Sequence, residues 1–309
     1  MNAEMNSSTS ISQTQAWLES LRPKTLPLAL AAIITGSALA AWTGHFKLPV
    51  ALLALLTAAI LQVLSNLAND YGDVIKGSDT EKRIGPLRGM QKGIITASQM
   101  KKALKIIVLL ACLSGGALIA VACEEPGDIF GFLVLGLLAI IAAITYTVGA
   151  KPYGYMGLGD ISVLIFFGWL SVAGTYYLQA GFFDLVVILP ATACGLLSTA
   201  VLNINNLRDI EDDKRHGKNT LAVRLGPKKA RYYHSGLIIT AILCLVLFTV
   251  QNPSGWSGWL FLLALPWLFK HIWYVLNDPT PEGMRPMLGQ MVKAALLTNI
   301  LFSVGLIFN

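Results

Sequence analysis

Two short stretches hold most of the hard oxygen ligands in this chain. The first reads Asn66-Leu67-Ala68-Asn69-Asp70-Tyr71-Gly72-Asp73, with Asp79 beyond it. The second reads Asn203-Ile204-Asn205-Asn206-Leu207-Arg208-Asp209, followed by Asp212 and Asp213. On a helix, Asn66, Asn69 and Asp73 stand at i, i+3 and i+7 and share one face, and Asn206, Asp209 and Asp213 repeat that spacing. Magnesium prefers carboxylate and water oxygens and is often completed by substrate phosphates instead of a protein cage. Two such faces, set beside lysines and arginines, suit a diphosphate carrying metal ions. The metals would polarise the diphosphate as a leaving group, and an allylic cation left behind would need a water-poor, aromatic pocket. Acids just past a helix end are commonly only solvated. Here they fall in register on two segments, and charges in or near a membrane default to function.

The elements that must carry these faces follow from composition. Of 309 residues, 55% are hydrophobic and only 13% charged, about half the charge of a typical soluble domain. That excludes disorder, nucleic-acid binding and an ordinary soluble enzyme. Uncharged intervals of membrane-crossing length recur along the chain. They give nine spans, near 26–43, 49–68, 103–122, 129–148, 161–178, 185–204, 233–250, 258–275 and 286–308. Runs of this length in lipid mean helices. The expected fold is all-α, a polytopic membrane protein of nine transmembrane helices in two four-helix pseudo-repeats plus one. Residues 1–16, rich in Ser, Asn, Gln and Thr, read as a mobile polar tail. Residues 17–309 read as one transmembrane domain with loops about 69–102 and 205–232.

Lysines and arginines crowd those two loops, and Arg22, Lys24, Lys151, Lys270 and Arg285 fall on the same side, whereas Lys47 lies opposite. The positive-inside rule then places the N-terminus and both loops in the cytoplasm and the C-terminus outside. The net charge of +6 therefore records topology. Cys112, Cys123, Cys194 and Cys244 form no CxxC pair, which gives disulfide and zinc readings little support.

Asn69-Asp70-x-x-Asp73 with Asp79, and Asp209-x-x-x-Asp213 with Lys218, resemble the two aspartate-rich motifs of the UbiA superfamily of intramembrane prenyltransferases. Further segments are similar to the branch of that superfamily that prenylates 1,4-dihydroxy-2-naphthoate. They are Leu21-Arg22-Pro23-Lys24-Thr25-Leu26-Pro27, Asn69-Asp70-Tyr71-Gly72-Asp73, Gly157-Leu158-Gly159-Asp160, Gly174-Thr175-Tyr176-Tyr177 and Asn205 through Asp213. The resemblance runs from about residue 17 to the end. One departure concerns the last acid of the first motif: its usual place is taken by Gly77, and Asp79 lies two residues on.

The resemblance implies a Mg2+-dependent transfer of a polyprenyl group from polyprenyl diphosphate to 1,4-dihydroxy-2-naphthoate. Carbon dioxide and diphosphate leave, and demethylmenaquinone, a menaquinone precursor, forms in a bacterial inner membrane. Asp73, Asp209 and Asp213 are then expected to be catalytic. With Asn66, Asn69, Asp70, Asp79 and Asn206 they are the expected metal set, direct or through water. Lys82, Arg88 and Lys218 are expected on the diphosphate, though each also reads as a solvated loop charge. Arg22 or Lys24 would receive the aromatic carboxylate, or simply anchor the interface. Tyr146, Tyr153 and Tyr155 would flank the cation, or belong to the interfacial aromatic belt. Asp160 reads either as a helix N-cap or as a group orienting the ring hydroxyls. Competing readings are another aromatic acceptor, such as 4-hydroxybenzoate, and a secondary transporter, whose acids would normally lie near the midplane.

Overall fold

The computed structural model describes residues 12–23, 25–77, 88–252, 255–278 and 280–308. These form helices and turns, with no strand among the described residues. In chain order the helices are α1 (Gln13–Leu21), α2 (Leu26–Trp42), α3 (Leu48–Ile75), α4 (Ala97–Ala122) and α5 (Pro126–Thr145). There follow α6 (Gly159–Ala180), α7 (Leu185–Arg208), α8 (Ile210–Arg215), α9 (Leu221–Gln251), α10 (Trp256–Asn277) and α11 (Pro281–Ile307). Eight of these are long and apolar enough to cross a membrane alone, and the 17-residue α2 completes nine together with α1. Leu109, Leu113, Phe130, Leu133 and Leu137 are all more than half exposed, and α5 buries no residue. Such an unbroken apolar exterior belongs in lipid. The chain is a multi-pass membrane protein.

Length explains where the chemistry sits. With 28 residues, α3 runs about 42 Å at 1.5 Å per residue, well beyond the ~30 Å hydrocarbon thickness. Its last turns, carrying Asn66 to Asp73, therefore reach the interface as ordered helix. The two halves share connectivity. In the first, α3 packs on α2 and α4; in the second, α7 packs on α6 and α9. The last helix, α11, closes the bundle against α2 and α7.

Glycines let the inner helices approach closely. A Cβ on Gly168 of α6 would lie 2.6 Å from the Ala191 carbonyl oxygen and 2.9 Å from Gly195 Cα on α7. Within α6, Leu164–Ala173 is π-helical, and the Ser171 hydroxyl donates to the Phe166 carbonyl five residues back.

Three sequence expectations change here. The polar stretch from Ser12 is a helix start, not tail: Ser12 and Gln15 form a reciprocal capping box, and Ala16 is fully buried. Most of the second loop, 205–232, is helical, because α7 runs to Arg208, α8 follows, and Thr220 caps α9. Finally, the helix carrying the second acidic face breaks at Asp209 (φ −97°, ψ 11°). Helical hydrogen bonds run up to the break and away from it, from Asp209 N to Asn205 O at 3.2 Å and from Asp213 N to Asp209 O at 2.8 Å.

Candidate active site

Between α2, α3, α4, α5, α6 and α7 lies a cavity of about 840 Å3. One end is polar, lined by Arg22, Asn66, Asn69, Asp73, Arg88, Asn205, Asn206, Arg208 and Lys218. The rest is apolar and aromatic, with Leu118, Phe132, Phe166, Phe167, Leu170 and Leu178 in its wall. From α6 the wall takes Ser162, Phe166, Leu170, Gly174 and Leu178, and beside them Val163, Phe167, Ser171 and Thr175. Both rows step by four. On an ideal α-helix a step of four drifts by about 40°, so the wider π-turn keeps both rows facing inward.

The first acidic face is built by α3 and by the turn after α5. A Cβ on Gly72 would lie 2.7 Å from both the carbonyl and hydroxyl oxygens of Thr147, so only glycine admits that strand of backbone. There the Thr147 hydroxyl donates to Ala68 O at 3.0 Å and lies 3.2 Å from Asn69 Oδ1. The Asn66 amide donates to the Leu21 carbonyl, docking α1 on α3. Asp73 accepts from the Tyr155 hydroxyl at 2.8 Å, with Arg88 Nη1 3.8 Å from its other oxygen.

Asp70 occupies a different position from its neighbours. It is fully buried and is not among the cavity-lining side chains. Its Oδ1 accepts from Arg22 Nη2 at 2.7 Å and from Arg88 Nη1 at 2.5 Å. Arg22 itself adopts a left-handed backbone conformation (φ 53°) at the end of α1. This is an uncommon setting for a non-glycine residue. The acid thus holds two arginines at the mouth.

In the second face, Asp209 takes a two-pronged ion pair from Arg208, with Nε at 2.7 Å and Nη2 at 2.5 Å, and Arg208 also donates to Asn205 Oδ1. Asp213 has Lys218 Nζ 3.8 Å away. Neither Asp209 nor Asp213 lines the cavity directly, whereas Asn206 and Lys218 do. The two faces meet through Tyr155. Its hydroxyl reaches Asp73, Lys76 Nζ and Lys218 Nζ lie 5.1 Å and 5.2 Å from its ring centroid, and its carbonyl accepts from Asn219 N.

Tyr146 and Tyr153 line the cavity with their rings edge to face, centroids 5.2 Å apart. Burial, then the negative charge of Asp160, raise the Tyr146 phenol well above its ordinary pKa. Burial raises Tyr153 too, against the opposing pull of its hydrogen bond to Ser162. Both remain protonated at neutral pH.

Asp160 is not brought to this cavity. It caps no helix, since α6 starts without a side-chain cap bond, and its carboxylate borders a separate small cavity. Lys24, Asp79 and Lys82 lie outside the described residues. The sequence reading missed Arg208 and Asn205, which line the mouth. An arginine inside a run of Asn and Asp just before a helix break was the available signal, and it reads equally as a topology marker.

A divalent ion fits this donor set. Among the described residues no three His, Cys, Asp or Glu side chains converge into a cage. The mouth instead offers amide oxygens and the Asp73 carboxylate on one helix and the amides of Asn205 and Asn206 on the other, with Asp209 and Asp213 following them in sequence. Hard, incomplete oxygen sets of this kind suit magnesium completed by phosphate oxygens.

The chain is 65% identical to the 1,4-dihydroxy-2-naphthoate octaprenyltransferase of Escherichia coli (strain K12) over 97% of each chain. It is 58% identical to the protein of that name from Haemophilus influenzae, covering 95% of this chain and 96% of that one. In fold it is similar to a UbiA homolog from Archaeoglobus fulgidus whose structure was determined bound to DMAPP and Mg2+. That match has a TM-score of 0.60 and 16% identity, over 93% of this chain and 99% of the other. The model of the UbiA prenyltransferase family matches residues 29–296, nearly the whole bundle. The chain belongs to the UbiA prenyltransferase family.

Proposed function

We propose that this enzyme transfers a polyprenyl group from polyprenyl diphosphate to 1,4-dihydroxy-2-naphthoate, releasing carbon dioxide and diphosphate and forming demethylmenaquinone. The observation that carries this reading is the continuity of one basic and oxygen-rich mouth with a long apolar cavity. An amphiphile with a diphosphate head and a hydrocarbon tail matches that division. The naphthoate acceptor follows from the relatives that share more than half of the sequence.

Arg22, Arg88, Arg208 and Lys218 neutralise the diphosphate oxygens as the bond to the allylic carbon breaks. Asn66, Asn69 and Asp73 on one side and Asn206, Asp209 and Asp213 on the other would hold magnesium, which would supply Lewis-acid stabilisation of that leaving group. Asp70 serves by fixing Arg22 and Arg88, and Arg22 then also faces the acceptor carboxylate. The faces of Tyr146 and Tyr153 meet the allylic carbon as positive charge develops. Phe166, Phe167 and Leu170 exclude water around the tail, protecting the cation from hydrolysis. The mouth shares its side of the bundle with Lys76, Lys92, Lys101, Lys151 and Lys214, and under the positive-inside rule this supports a cytoplasmic mouth and N-terminus with the C-terminus outside.

The test supplies purified protein with farnesyl or longer diphosphate, magnesium and either aromatic acid, and weighs the product. A prenylated naphthoquinol lacking the carboxyl group is expected. Turnover of 4-hydroxybenzoate alone would replace the acceptor, and absence of diphosphate release with either acid would refute the reaction.

A further inference from the structure

Asp160 is only 6% exposed, yet it does not serve the large cavity. Its carboxylate borders a second cavity of about 220 Å3 whose apolar walls include Ile161, Leu164, Leu196 and Leu237. Tyr233, on α9, lines the same cavity. Asp160 Oδ1 is buried and has no hydrogen-bond partner among the described residues. Thr199, on the same wall, donates its hydroxyl to Gly195 O at 2.9 Å, with Asp160's own carbonyl at 3.4 Å, so that proton is already used. No lysine or arginine among the described residues lines this cavity. A buried acceptor left in this condition is costly, and a donor from outside the chain would relieve it.

The rim supplies the opposite charge. Gly157, also in the cavity wall, has φ 73°, and a Cβ there would lie 2.9 Å from Arg224 Nε. Arg224 is exposed, and its guanidinium donates to the Met156 and Asn219 carbonyls. A guanidinium has five N–H groups, so these two bonds do not exhaust it. Ile161 is 53% exposed, which sets the cavity on the outer apolar face of the bundle. An acid inside, a guanidinium at the rim and leucines around them complement a zwitterion with an apolar tail.

We propose that this cavity binds the headgroup of a membrane aminophospholipid, its primary ammonium on Asp160 and Tyr233 and its phosphate on Arg224. The open acceptor needs a donor hydrogen, and a primary ammonium supplies one together with the opposite charge, whereas a quaternary ammonium has no such hydrogen and should bind poorly. The Arg224 guanidinium at the rim and the apolar walls favour a phospholipid over a free amine or a quinol hydroxyl.

The full chain, purified in mild detergent and stripped of lipid, would be incubated with phosphatidylethanolamine, phosphatidylcholine or phosphatidylglycerol. Native mass spectrometry then counts the lipids retained. Wild type should keep one phosphatidylethanolamine with a preference of about tenfold or more over phosphatidylcholine, as one charge-assisted hydrogen bond would give. Asp160→Asn should lose that preference while Arg224→Ala weakens retention of both lipids. Equal retention of all three lipids by wild type, or retention of none, overturns the proposal whether or not the variants fold. So does an Asp160→Asn protein that still discriminates.

Discussion

Tyr155→Phe tests whether the two acidic faces work as one unit. The substitution removes a single oxygen, the one that donates to Asp73 at 2.8 Å, and keeps the ring between Lys76 and Lys218. Tyr155 is not among the cavity-lining residues, whereas Asp73, which its hydroxyl meets, is. A hydrogen bond to a charged group is worth about 1.5–3 kcal/mol. Asp73 is only 5% exposed, which keeps water from replacing the lost donor. If that bond positions Asp73 in the transition state, kcat/KM should fall about 10- to 150-fold. Tyr155→Leu should fall further, because two cation–π contacts of about 0.5–1 kcal/mol each go with the ring. The assay is initial-rate prenyl transfer across a magnesium titration, with Asp73→Asn and the double variant completing a cycle. The magnesium needed for half-maximal rate should rise in Tyr155→Phe, which a merely structural role would not produce. Activity within twofold of wild type, or a coupling to Asp73 below about 0.5 kcal/mol, would refute the argument.

Gly72→Ala forces a methyl group against Thr147 and should cost about 1–3 kcal/mol by overpacking, with a larger loss of turnover because Thr147 also holds Asn69. Thermal unfolding and rate are the measurements, and Gly116→Ala, where a Cβ meets nothing within 4 Å, is the control that should leave both intact. Asp73→Ala should abolish detectable turnover with little change in melting temperature. Asp209→Ala should lose stability as well, by about 3–5 kcal/mol, because Arg208 would remain buried without its carboxylate partner.

The spans and both acidic faces were legible because a membrane removes the usual ambiguities: apolar length counts crossings, and the few polar side chains left are conspicuous. Helical periodicity placed Asn66, Asn69 and Asp73 on one face, and α3 carries them so. Spacing cannot say what meets that face, however. Asp70, four residues from Asn66 and three from Asp73, shares their face by spacing, yet its Oδ1 meets two arginines there. Residues 210–232 looked like a loop since short helices that are polar on several sides carry no apolar stripe. Arg208 was hidden by its own charge, which a membrane sequence uses for orientation as readily as for chemistry. Asp160 lay at a helix start, where the N-cap explanation is the ordinary one, and only tertiary packing reveals the second cavity beside it.

The π-helical stretch of α6 acts as a stored residue. Removing one amino acid between Leu164 and Ala173 would let that stretch relax to α-helical winding, leaving both ends of the helix in place. The cost would be local: Gly174 would follow Phe166 by seven residues, about 20° short of two full turns, so Ser162, Phe166, Gly174 and Leu178 would keep their shared face while the side chains between them are redistributed. A length change at this point therefore remodels the middle of the wall, around Phe167, Leu170 and Ser171, without touching the mouth, which makes α6 a place where tail preference can diverge from head chemistry.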